Sequence, residues 1–497
     1  MKIFNENNKM CASFLVLLIF VLFFAGCTDK EKINSDETGN MNQTDVENVP
    51  EETAKDMAYE YGGERIDFNG ETFTILYDPD WSYGRYIYAE EITGNSLNDA
   101  IYKRILDTED FFNIVVKTRE VPEVSQYVTA EIGKEVKSGL NTFDIGLMHC
   151  ITGPDSVVIN NYAYNWMKMP NVDFSKKYWN QSVFENYSIN GYFPFVVNDF
   201  LIPDPCFLTF NKTIMQDYAI NENLYELVKK GKWTLDKFIE IAKKVSADLD
   251  GDGEFTEKDL YGYSCTFDTR LSNVMYACDQ PILKKEEPDG RYTLGIYNEK
   301  TQNIVEKFYG LLYTGNQTFI DRVGATWLSY DMFADGQVLF CMQPHVRVKV
   351  LLGSDVDFGI LPYPKYDEKQ EKYLSLNWGG FICAPITISN PEKVGAVVEY
   401  LGAKSRETVW PEFYETFMSN KFARDSESID MLEIIYSDNI YDFGLTYSQY
   451  NDFLYLLPRM MEKKTTDLAS WYESRANSIQ KIYDKYYDAF IESSKVN

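Results

Sequence analysis

Residues 233–263 read WTLDKFIEIAKKVSADLDGDGEFTEKDLYGY, and the stretch changes character twice. In its first half Leu235, Phe238, Ile239, Ala242 and Val245 recur at helical spacing behind Thr234, a residue that can cap the first turn. The pattern predicts a helix over 233–248. In its last part LYGY alternates as a strand does. Between the two, Asp248, Asp250, Asp252, the Glu254 carbonyl, Thr256 and Asp259 fall at the oxygen-ligand positions of an EF-hand-type loop, with Gly253 at its sharp turn. Three carboxylates in one turn repel each other unless a cation neutralises them, so loop 248–259 is expected to hold Ca2+; a solvated acidic turn is the plain alternative. A sensor needs paired loops and two long helices. Here there is one loop, it ends in Asp259 rather than the longer Glu, and it leads into a strand, so the expected role is structural.

Towards the N-terminus the text is that of an α/β lobe. ETFTILY (71–77) is β-branched or aromatic at alternate positions, a first strand. A helix follows with Leu97, Ala100, Ile101, Ile105 and Phe111 or Phe112 on one face, then the strand NIVVKTREV, a helix over about 124–138, and the strand FDIGLMHC (143–150). Strands alternating with helices imply parallel pairing through crossovers. Beyond residue 192, YFPFVVNDF and CFLTFNKTIM read as strands interrupted by prolines, suited to a passage between lobes. GQVLFCMQ, DFGILPYP and WGGFICAPIT read as buried strands, NPEKVGAVVEYLGA as a capped helix, and the last 90 or so residues as helical and rich in aromatics.

The 497-residue length favours two packed lobes over a single core. A net charge of −28 and the lack of a basic stripe exclude a nucleic-acid backbone as partner. Residues 11–26, CASFLVLLIFVLFFAG, have the length of a signal-peptide core rather than of a membrane span. FFAGC resembles the bacterial lipobox, which implies a signal over 1–27 and lipidation at Cys27. Residues 28–60 are polar and acidic, the composition of a flexible tether. These features place the protein on the extracellular face of the membrane, held by lipid. Of the remaining cysteines, Cys150, Cys206, Cys265, Cys278, Cys341 and Cys383, none forms a C-x-x-C pair; buried free thiols are expected, Cys265 and Cys278 being the closest pair in sequence. With only His149 and His345 as histidines, and no nucleophile elbow, zinc helix or P-loop, the chain reads as a binding protein rather than an enzyme.

Four stretches carry a likeness to a known family. They are FDIGLMH, LTFNKTIM, the 233–263 segment, and FADGQVLFCMQ…VDFGILPYPK…LNWGGFICAPITISNPEKVGAVVEYL, in family order over most of residues 70–405. Together with the lipobox they resemble the extracellular solute-binding lipoproteins of bacterial ABC importers, the carbohydrate type related to maltose-binding protein. The resemblance implies the type II periplasmic-binding-protein-like α/β fold: an N-lobe from 61–198 and about 366–405, a C-lobe from 199–365 and about 406–497, and hinge strands between them. Crossings are expected near Asn198–Pro205, Pro364–Leu374 and Ala403–Trp410. It implies a monomer that captures a sugar or oligosaccharide between the lobes and hands it to ABC permease subunits. A peptide or other non-sugar solute is the alternative in the same fold, a surface glycan-active enzyme or adhesion module the alternative in another class. Carried over by position, ligand contacts are expected from Asp78, Trp81, Tyr83, His149, Asn198, Asp199, Gln343 and His345, with Trp378 as the foremost stacking ring. Along FCMQPHV an expected aromatic is missing, so the solute itself is left open.

Overall fold

The computed structural model describes residues 59–80, 84–121, 126–267, 269–321, 328–344, 351, 353–415, 424–448 and 453–496. Cys27, the signal and the tether up to residue 58 lie outside the described residues, as do Trp81, Tyr83 and His345.

The first sheet follows from the N-terminal pattern. β1 (Glu71–Tyr77), helix α1 (Ser96–Phe112), β2 (Ile114–Glu120), helix α2 (Gln126–Ser138) and β3 (Ile145–His149) alternate as the sequence predicts. β1 pairs in parallel with β2 (Glu71↔Ile114) and β3 (Ile75↔Ile145). The Asn95 side chain caps α1 by accepting the Asn98 N–H at 3.2 Å, and Leu97, Ile101, Ile105 and Phe112 are its buried stripe. Asn113, in the left-handed region at φ 47°, ends it. Two short helices, α3 (Pro154–Ile159) and α4 (Gln181–Tyr187), complete this half before the first passage between lobes. The YFPFVV stretch forms isolated bridges rather than a named strand, among them Val196↔Ile382.

The second sheet is built from β4 (Cys206–Asn211), β5 (Ser246–Ala247), β6 (Leu260–Thr266), β9 (Thr318–Asp321), β10 (Val338–Pro344) and β11 (Phe358–Leu361), in the order β11-β4-β10-β6-β5 with β9 on β6; the hairpin β7 (Leu283–Glu286) and β8 (Arg291–Leu294) stands apart. Within the 233–263 segment, helix α5 covers Leu235–Ala242 and is capped by Thr234 Oγ1 from the Lys237 N–H. It is shorter than its periodicity predicts. β6 crosses its end so closely that a Cβ on Gly262 would collide with the Ala242 carbonyl, and Ser246–Ala247 turn instead to pair antiparallel with Leu260–Tyr261. The acidic loop therefore joins two strands, not two helices. Helices α6 (Thr269–Ala277) and α7 (Glu299–Tyr313) flank this sheet.

The chain returns through β12 (Ser375–Leu376) to β13 (Gly380–Cys383), which joins the first sheet antiparallel to β3. Helix α8 (Pro391–Glu412) then packs along α1. Helix α9 (Ser426–Ser437) leads to β14 (Asn439–Ile440), which pairs with β12. Helix α10 (Leu456–Glu462) packs on α6 and α7, whereas the last helix, α11 (Ala476–Val496), packs on both α3 and β8. The last helix thus touches elements of both the first and the second half of the chain. Cys265 and Cys278 are separate buried thiols, as are the other four described cysteines. Among the described residues, no helix is long and apolar enough to cross a membrane.

Candidate ligand-binding site

In open α/β sheets, ligands meet the carboxyl ends of the strands, where loops fan out and backbone groups are left to point at a guest. In the first sheet those ends are Tyr77 of β1 and His149 of β3, and antiparallel β13 begins beside them with Gly380 opposite His149. In the second sheet β6, β9 and β10 run parallel, and the start of β4 lies opposite the end of β10, Cys206 against Pro344. One pair of crossing segments joins the two sets of ends. Pro205 bridges Asn377, and the buried Asn377 side chain organises the crossing. Its Oδ1 accepts the N–H groups of Asp204 (2.9 Å) and Gly379 (2.8 Å), while its Nδ2 donates to Asn439 Oδ1 at 2.9 Å. The Trp378 N–H donates to the Asp204 carbonyl at 3.2 Å, and the Cys150 N–H to the Gly379 carbonyl at 3.0 Å.

Trp378 therefore sits on the hinge pair itself. Its ring is half-buried against the core, and its Nε1 is buried without a hydrogen-bond partner among the described residues. Asp78 follows β1 directly; it is fully buried, and its Oδ1 accepts the Asp80 N–H at 3.0 Å, turning the loop. His149 is 4% exposed, its Nδ1 accepts the Ile151 N–H at 3.2 Å, and burial lowers its pKa to about 4, so it is a neutral ring at pH 7. Asn198 belongs to the hinge: its Nδ2 donates to the Val398 carbonyl and its Oδ1 accepts the Phe200 N–H. Asp199 lines, together with Asn198 and Asn439, a cavity beside the crossing. Gln343 is paired through its backbone with Phe207.

Two residues at the strand ends escaped the sequence reading. Asp204 is 6% exposed, and its charge adds to burial in raising the Tyr86 hydroxyl to about 12, although Arg85 opposes it. It also acts in the same sense on Cys150, just past β3, and on Tyr436 of α9. The signal available was an Asp flanked by prolines immediately before a buried strand. Asn377 carried no signal of its crossing role, because the partners that tie the passages, Asp204 and Asn439, lie far off in the chain.

The acidic loop has a geometry of its own. Asp248, Asp250 and Asp252 can each bring an oxygen within 4.8 Å of the others, and Gly251 and Gly253 take positive φ (72° and 85°) to allow it. Asp248 also accepts the N–H groups of Gly251 and Gly253. Asp259 closes the loop by accepting the N–H groups of Leu249 (2.9 Å) and Thr256 (2.7 Å), bonds that hold its carboxyl below the usual range. Phe255 packs edge-on to Tyr261 as the apolar plug. Hard carboxylate oxygens on one turn suit a divalent cation of the calcium type. The loop precedes β6, whose other end faces the hinge, so at about 3.3 Å per residue it lies on the order of 20 Å from the candidate site.

No family model matches the chain, and no curated protein matches it by sequence. Solved structures do match. A solute-binding protein of an ABC transporter from Thermotoga lettingae, bound with α-D-tagatose, aligns over 83% of this chain and 100% of its own at 14% identity and a TM-score of 0.51. The chain shares the fold of this solute-binding protein. The galacto-N-biose/lacto-N-biose I-binding protein of Bifidobacterium longum aligns over 86% of this chain and 98% of its own, at 11% identity and a TM-score of 0.53. The maltose-binding periplasmic protein of Listeria monocytogenes, with maltose, covers 85% and 98% at 13% identity and a TM-score of 0.52.

Proposed function

We propose that this chain is an extracellular receptor that captures a sugar or oligosaccharide at the strand ends and delivers it to the permease of an ABC importer. The observation that carries the reading is the convergence of both sets of strand ends on one crossing. A half-buried indole with an unused donor and a central carboxylate meet there, the combination that covers a sugar's apolar face and receives its hydroxyls. The structural neighbours named above bind tagatose, lacto-N-biose and maltose, and they are binding proteins, which supports solute capture over catalysis. In this reading Cys27 carries the lipid anchor, residues 28–60 are the tether, and loop 248–259 holds Ca2+ through Asp248, Asp250, Asp252 and Asp259, with the Glu254 carbonyl and Thr256 completing the shell. Distance from the hinge makes that ion a brace for the β5–β6 connection rather than a ligand contact.

Calorimetry over a panel of mono- and oligosaccharides tests the reading, with small-angle scattering to follow closure. One sugar should bind and compact the protein, and Trp378→Ala should weaken it by about tenfold or more. Release of glycan products by the purified protein, or tight binding of peptides but no sugar, would replace this function with another.

A further inference from the structure

The passages between lobes are not the only ties between the two halves of the chain. α4 belongs to the first half: its Tyr187 ring stands edge-on to Phe381 of β13 at 5.1 Å. The β7–β8 hairpin belongs to the second half, held at its two ends by α6, which packs on β6, and α7, which packs on β9. Yet the hairpin reaches α4. That helix ends at Ser188, whose N–H returns to the Phe184 carbonyl, and the carbonyls beyond have no following turn to bond them. Lys285 of β7 donates to two of these, Glu185 and Ser188 (3.4 Å), and the Tyr292 hydroxyl of β8 donates to the Asn186 carbonyl at 2.7 Å. Rings continue the contact. Phe443 stacks on Tyr292 at 4.2 Å and 9°, and lies 5.9 Å from Tyr187. Phe381, Tyr187, Phe443 and Tyr292 thus form one line of rings from a strand of the first sheet to the hairpin. From behind, α11 stiffens the hairpin: Arg291 pairs with Asp484 at 3.0 Å, and Gln480 donates to the Tyr292 carbonyl and accepts the Leu294 N–H.

These contacts cannot stretch. A hydrogen bond of this length is lost after about 1 Å of movement, and packed rings forfeit roughly a quarter to a half of their attraction over a gap of about 0.5–1 Å. The hold on α4 is therefore either made or broken, as packed interfaces are when domains move. Space exists for it to let go. A cavity of about 320 Å3 lies against the grip, lined by Asn186, Lys285 and Tyr292 with Leu374 of the second passage and Ile440 of β14. We propose that the β7–β8 hairpin is an interlobe latch, whose grip on the carbonyl end of α4 holds the lobes in the arrangement of this structure and must release for them to move. Leu374 couples the latch to the hinge, since a bend in its passage reshapes the cavity beside the grip. The passages allow the motion; the latch sets how much of the time the lobes are free to make it.

The latch rests on the two-lobe fold and not on what the cleft binds, so its test uses no solute. Azidophenylalanine at the exposed positions of Leu140, in the first half, and Lys232, in the second, carries a donor–acceptor dye pair on the full-length protein, and single-molecule energy transfer reports the interlobe distance. Wild type should give one dominant distance. Lys285→Met combined with Tyr292→Phe removes the three hydrogen bonds while keeping the stem and the ring. It should shift the ratio of arrangements by about tenfold or more and bring a second distance to at least about one molecule in ten. Lys284→Ala is the control, because Lys284 pairs with Glu286 on the hairpin itself and should leave the distribution as in wild type. The proposal fails if the double variant, folded by circular dichroism, keeps the wild-type distribution. It fails equally if Lys284→Ala shifts the distribution as far, since the effect would then be one of hairpin stability. Absence of sugar binding with the latch effect intact would instead overturn the cleft reading.

Discussion

Phe490, on the last helix, is fully buried, and its ring lies 5.8 Å from Tyr192, 5.7 Å from Phe443 and 6.2 Å from Tyr447. Tyr192 belongs to the first half of the chain and the other two to the segment after β14, so this ring joins α11 to residues from distant parts of the sequence. Phe490→Ala removes the ring from a closed site and should cost about 3–5 kcal/mol, the range for a buried aromatic whose cavity cannot collapse. For a folded body of roughly 440 residues, with an unfolding entropy near 2.1 cal/mol/K per residue, that is a Tm drop of about 3–5 °C. Urea unfolding followed by tryptophan emission gives the free energy, and calorimetry gives Tm. Ile92→Ala is the control: Ile92 is 68% exposed and should move stability by less than about 0.5 kcal/mol. A loss below about 1 kcal/mol for Phe490→Ala would mean that α11 frays from the body on its own, and that the interface described for it does not support the lobes.

Three further predictions rest on other parts of the fold. Glu399, in α8, is 3% exposed and accepts from Tyr178 Oη, Trp179 Nε1 (2.9 Å) and the Asp173 N–H (3.2 Å), yet burial outweighs these donors and pushes its pKa up to about 7. Its stabilising contribution is therefore full below its ordinary value near 4.5 and is lost as pH rises through about 7. The unfolding free energy measured in urea from pH 5 to pH 8 should fall by an amount on the order of 3 kcal/mol, and Glu399→Gln should flatten that slope. Arg104 is fully buried and donates to the carbonyls of Tyr86 (2.8 Å) and Ile87 (2.6 Å) and to Ser405 Oγ (3.0 Å); burial lowers its pKa to about 9, so it stays charged at neutral pH. Arg104→Ala should cost about 3–5 kcal/mol in urea unfolding and weaken sugar binding through the loop after β1. Chelation should lower Tm by the equivalent of about 2–3 kcal/mol if Ca2+ was present at a hundredfold its Kd, and Asp248→Ala should abolish that response without changing which sugar binds.

Local rules account for what could be read in the sequence. Period-two and period-3.6 patterning over residues 71–150 marked β1, α1, β2, α2 and β3, because each element must bury one face whatever its neighbours are. The acidic spacing from Asp248 to Asp259 was legible for the same reason, since all its groups lie within one turn of chain. Prediction failed where distant segments compete for the same space. The helix over 233–248 was cut to Leu235–Ala242 because β6 crosses its end at Gly262, a contact no propensity encodes. Asn198 secures α8 through the Val398 carbonyl, 200 residues away, a contact no local pattern encodes. Asp204 and Trp378 acquired their shared position only when Asn377 bound both passages together. The sequence by itself determined the alternation of the first five elements, the Thr234 cap and the acidic spacing, whose energetics are settled within a few residues. The tertiary structure alone decided which polar groups stay without a partner, because that depends on which donors and acceptors distant segments have already satisfied.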